Sequence, residues 1–120
     1  MSWLPALTTI AAVAGGLVPL VLAIGFWRDP EAAMARANHR REALPQVMVG
    51  RYLGFAALAF AAAAHGDPAA TAFLFATFAF ISFFDAWLYA RQGQPARPHA
   101  AAGLGALLVL GLAVAQALTV

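Results

Sequence analysis

From Trp3 to Trp27 the sequence carries no charged side chain, and about 20 apolar residues in helical conformation suffice to cross the hydrocarbon core of a bilayer. A stretch this long and this apolar leaves the chain few soluble folds. It also differs from a cleaved signal peptide, which places positive charge ahead of its apolar run. Here Met1 and Ser2 are uncharged and the first arginine, Arg28, follows the run. The stretch therefore reads as a retained first transmembrane helix. Three further apolar runs, 47–64, 69–90 and 100–120, follow it. The expected fold is all-α, a single four-transmembrane-helix bundle with spans at 3–27, 47–64, 69–90 and 100–120.

Composition agrees. Hydrophobic residues make up 63% of the chain and charged ones 10%, against about 25% charged in an ordinary soluble domain. With no cysteine, disulfides, thiolate nucleophiles and cysteine-ligated metals all drop out. The net charge of +2 comes from arginines alone, seven of them. Their positions explain them without nucleic acid, since each lies in or beside residues 28–46 or 91–99. The positive-inside rule places these two loops in the cytoplasm and both termini on the other side. Trp3 and Trp27 at the ends of the first span, and Trp87 with Tyr89 near the inner end of the third, match an interfacial aromatic belt.

Asp29-Pro30 and Asp67-Pro68 each supply a capping carboxylate followed by proline at the first helical position. In His65-Gly66-Asp67-Pro68 the glycine closes one helix in the left-handed region and the next begins at once, which makes spans two and three an antiparallel hairpin. Pro30 to Leu44, with Arg36, His39, Arg40 and Arg41 set against Met34, Ala37 and Leu44, reads as a short interfacial helix between the first two spans. Pro19 is expected to bend the first helix. Small residues form two stripes, Gly50, Gly54 and Ala57 or Ala61 in the second span, and Gly103, Ala106 or Leu107, and Gly111 in the fourth. Both suit close helix packing, within the bundle or between copies.

Two ionisable residues stand inside apolar spans, Arg51 in the second and Asp85 in the third. Counted from the hairpin turn they differ in height by only about 4 to 5 Å at 1.5 Å per residue. A charge at membrane depth costs about 2.5 to 3.5 kcal/mol on insertion scales, so mutual pairing is the expected resolution. The alternative has Arg51 reaching to the headgroups while Asp85 accepts local hydrogen bonds. Helical spacing puts Phe78, Ser82 and Tyr89 on the face of Asp85, and Gly54 and Phe55 on that of Arg51. With Tyr52 and His99 these outline a mostly apolar site with a few polar groups, the character of a small-molecule pocket. Phe73, Phe80, Phe84 and Trp87 share another face of the third span, which either meets lipid or walls a flat hydrophobic ligand. His39, His65 and His99 do not make a metal site, and His39 and His99 read as loop residues without a partner.

Arg51-Tyr52-Leu53-Gly54 opening the second span, Phe84-Asp85-Ala86 late in the third, and a basic loop ending in His99 before a Gly/Ala-rich fourth span resemble the DoxX-like group of small four-helix bacterial membrane proteins. The resemblance covers about half the chain, Gly50 to Gly111. It implies the four-helix topology, a bacterial inner-membrane location and a polar cluster at the inner ends, but no agreed activity, and it leaves the cofactor open. Three functions follow from the residues. The first is a binding or accessory module that holds a hydrophobic molecule or joins a homo-oligomer or larger membrane complex. The second is a membrane isomerase or hydrolase with Asp85 as acid or base, Arg51 stabilising negative charge and Tyr52 or Tyr89 assisting. The third is an oligomeric small transporter.

Overall fold

A computed structural model of the chain, described for residues 3–119, is all-α. Its helices are α1 (Trp3–Arg28), α2 (Pro30–Arg36), α3 (Leu44–His65), α4 (Pro68–Arg91) and α5 (Arg97–Thr119), with a 3-10 turn at Arg41–Ala43. Among the described residues, α1, α3, α4 and α5 are long and apolar enough to cross a membrane, as the sequence predicts for a four-helix membrane fold. The protein is an integral membrane protein. The chain divides between Val49 and Gly50 into two compact units, which are taken in turn.

In the first unit α1 runs through Pro19 as one helix. The handover to α2 is the capped turn the sequence predicts: Ala32 N donates to Asp29 Oδ1 at 3.1 Å, with Pro30 at the first helical position. Proline loses nothing there because the first N–H groups of a helix have no intrahelical acceptor. Ala33 is the buried residue of α2, and it packs close to Gly25 of α1.

The interfacial helix is shorter than the expected 30–44. It stops at Arg36 because Asn38 takes the left-handed conformation, φ 57°, and two bonds then close the end: His39 N donates to Met34 O at 2.9 Å and Asn38 N to Ala35 O at 3.2 Å. This is a Schellman end with asparagine in the place glycine usually takes. Arg41 and Glu31 pair across it at 3.0 Å, and both are so exposed that the pair contributes little stability.

In the second unit the α3–α4 turn follows the sequence reading. Gly66 has φ 77°, Ala69 N donates to Asp67 Oδ1 at 3.0 Å, and Pro68 opens α4. The rings of Phe55 and Phe78 meet across the hairpin with centroids 5.3 Å apart. At the far end of α4, Gly93 at φ 70° closes a second Schellman end, with Gln94 N donating to Tyr89 O at 2.9 Å and Gly93 N to Ala90 O at 3.1 Å. Helices α3 and α5 each begin three residues earlier than their apolar runs, at Leu44 and Arg97. Polar residues and a proline, Pro45 or Pro98, fill those first turns, where a missing N–H costs no hydrogen bond.

Helices α4 and α5 pack along their length through small residues. Ala79 of α4 and Gly103, Ala106 and Ala113 of α5 are buried. A side chain at Gly103 would put its Cβ 2.7 Å from the ring of Phe83, so the ring lies directly on the glycine backbone. Without a strong hydrophobic force between helices in lipid, such close contact is what holds them. The expected stripe is right at Gly103 and Ala106 but not at Gly111, which is exposed. At about 100° per residue Gly111 lies roughly 140° round the helix from Ala106, and Ala113 only about 20°. In α3 the stripe Gly50, Gly54, Ala57 and Ala61 is exposed, and the half-buried face is Phe55, Ala56, Ala59 and Ala62.

Gly103→Ala is expected to lower stability by about 1 to 3 kcal/mol through overpacking against Phe83. Gly105→Ala, where an added Cβ meets nothing within 4 Å, is expected to be neutral or slightly stabilising by helix propensity. Reversible unfolding of both variants in detergent, followed by circular dichroism, measures the contrast.

Candidate functional site

Three polar side chains of the second unit, Asp85, Tyr89 and His99, gather where α4 ends and α5 begins. Asp85 and Tyr89 stand one turn apart on the same face of α4, and the five-residue connection 92–96 brings the first turn of α5 back beside them. His99 lies in that turn. Its ring stacks on Tyr89 with centroids 4.9 Å apart and planes 10° from parallel. Its Nδ1 stands 3.9 Å from Asp85 Oδ2. That separation is beyond hydrogen-bond length, so the contact is an ion pair when the imidazole is protonated. The side chains are 38% exposed for Asp85 and 31% for His99, half-covered and reachable from outside.

This arrangement corrects two expectations. Asp85 faces His99 rather than Arg51, and His99 is a helical residue with a partner rather than an isolated loop residue. Among the described residues Arg51 forms no ion pair or side-chain hydrogen bond, and it is exposed. Matched height did not bring the pair together: the short connection 92–96 and the first turn of α5 deliver His99 beside the carboxylate instead. The shift in the start of α5 is the reason His99 was misread: Arg97 and Pro98 extend the helix by one turn.

The other expected site residues separate into two groups. Tyr89 and His99 belong with Asp85. Tyr52, Phe55 and Phe78 form an aromatic run between α3 and α4, with centroid separations of 6.2 Å for Tyr52–Phe55 and 5.3 Å for Phe55–Phe78. Ser82, half-buried, stands one turn from both Phe78 and Asp85. Gly54 is exposed, with open space where a side chain would project.

Two features were not singled out from the sequence. The guanidinium of Arg91 lies over the ring of Trp87, 4.9 Å from its centroid; the i, i+4 spacing is the signal that could have found it. An open groove of about 520 Å³ runs between α3 and α4 near the hairpin turn, lined by Leu58, Ala61, Ala62 and His65 on one side and Ala70, Phe73, Leu74 and Thr77 on the other.

Chemically, the cluster at the α4–α5 junction offers a carboxylate, an imidazole and a phenol ring within one turn of helix. It can bind a polar head group, and its imidazole can exchange a proton with a ligand. Among the described residues no group of three His, Cys, Asp or Glu side chains comes together to hold a metal.

A double-mutant cycle on Asp85→Asn and His99→Gln is expected to show a coupling of about 0.2 to 1 kcal/mol, the range of solvent-accessible pairs. The cycle on Arg51→Gln and Asp85→Asn is expected to show none beyond about 0.3 kcal/mol. Unfolding free energies in bicelles give both values.

Compared with protein-family models, curated proteins and solved structures, the chain matches none of them.

Proposed function

We propose that this integral membrane protein is a small binding or accessory module, holding a hydrophobic molecule with a polar head or joining a larger membrane complex. The observation that carries the reading is the Asp85–His99–Tyr89 cluster: polar, partly open and set at the end of helices that are otherwise apolar. An apolar body lying along the helices and a polar head at this cluster would be matched group for group. The orientation follows from the arginines, with the connections 28–46 and 91–99 in the cytoplasm and both termini outside. The likeness to the DoxX-like group, carried by Arg51 to Gly54, Phe84 to Ala86 and His99, supports a bacterial inner-membrane setting.

One observation favours a second reading. A carboxylate and an imidazole stand beside each other at a partly open site, so a membrane-embedded isomerase or hydrolase would use Asp85 and His99 as acid and base, with Arg51 in no direct role.

The test is purification from native membranes with identification of the lipids and proteins that accompany the chain. A specific hydrophobic molecule or partner protein is expected with the unaltered chain, and Asp85→Asn or His99→Ala is expected to lower its recovery about tenfold, the loss of about 1.4 kcal/mol. Recovery of the chain with neither would sink the binding reading. A molecule that is retained but no longer converted in Asp85→Asn would select the enzyme.

A further inference from the structure

On α4, away from Asp85 and Tyr89, the side chains of Phe73, Phe80, Phe84, Trp87 and Arg91 recur at helical spacing along one face. From Phe80 to Arg91 they touch in series. Phe80 and Phe84 have ring centroids 6.1 Å apart, Phe84 and Trp87 5.7 Å, and the guanidinium of Arg91 sits 4.9 Å above the indole. Phe80 is 69% exposed and Trp87 44%. From Arg91 back to Phe80 the helix rises about 16 Å, close to the roughly 15 Å of hydrocarbon in one leaflet. The ladder thus has the length of one lipid chain with a cation at its polar end.

Among the described residues no carboxylate pairs with Arg91. A cation–π contact uses the ring face and leaves the guanidinium N–H groups directed outward. The connection 92–96 contains no acidic residue, Arg97 follows as a second cation, and the nearest acid along α4, Asp85, is six residues back, about 120° round the helix. The geometry points to an anionic glycerophospholipid as the occupant of this face. Its phosphate is held by Arg91 and drawn by Arg97, its glycerol region lies at the indole of Trp87, and one acyl chain follows Phe84 and Phe80. This site is separate from the Asp85–His99 cluster and stands whether or not that cluster binds a ligand.

The probe is Trp87 fluorescence in a Trp3→Phe, Trp27→Phe background, reconstituted in vesicles containing brominated phosphatidylglycerol or brominated phosphatidylcholine, with helicity checked by circular dichroism. Quenching is expected to favour phosphatidylglycerol by about fivefold, the selectivity that one arginine near the surface supplies. Arg91→Gln is expected to remove most of that preference and Arg91→Lys to keep part of it, while His99→Ala leaves it unchanged. Equal quenching by both lipids, or a preference untouched by Arg91→Gln, would mean ordinary boundary lipid and overturn the proposal. Quenching by neither would mean that protein, a second copy or a partner, covers the face, and would overturn it equally.

Discussion

Hydrocarbon offers no hydrogen-bond partner to a peptide group, and this governs everything else in the chain. Each span must satisfy its own backbone, so each is a helix, and the departures from helix are confined to short turns. Asp29 and Asp67 cap the starts of α2 and α4, and Asn38 and Gly93 close the ends of α2 and α4 by the same pair of bonds. The chain thereby loses the option of long loops in the apolar zone, and side chains of functional interest must be carried on the helices or within a turn of their ends.

The same solvent also decides how the helices meet. Lipid tails are as apolar as leucine, so large hydrophobic side chains gain little by facing one another. The buried positions are accordingly small, Ala79 against Gly103, Ala106 and Ala113, while Phe73, Phe80 and Leu118 point outward. Phe83 is the instructive case among the aromatics, since its ring settles on Gly103 of α5, where no Cβ stands in the way. The outward side of α4 carries a ladder of exposed rings that ends in the Arg91 guanidinium.

Turn geometry connects this packing to the candidate chemistry. The Schellman end at Gly93 and the early start of α5 at Arg97 bring His99 back to the level of Asp85 and Tyr89. The resulting cluster is modest in energy: an ion pair at 3.9 Å between half-exposed groups, supported by a ring stack of about 0.5 to 1.5 kcal/mol. Its value is in position, at the boundary between apolar helix and polar connection.

Much of this was legible in the residues. Apolar run length marked the four long helices, Asp-Pro marked two helix starts, and Gly66 marked the hairpin, because these are local effects in which a residue and its immediate neighbours determine the conformation. The site was only half legible. Asp85 stands out as an ionisable group inside an apolar span, but its partner does not follow from the residues alone. Height along a helix can be counted from sequence, whereas the choice between Arg51 and His99 depends on where α5 begins and how closely it approaches α4. That approach is decided by the fit of Phe83 over Gly103, a contact between residues twenty positions apart in the chain. Sequence by itself thus determined the membrane character, the helices and their punctuation, since hydrocarbon imposes those locally. Only the tertiary structure decided which small residues are buried and which basic group faces the carboxylate, because those depend on distances across the space between helices.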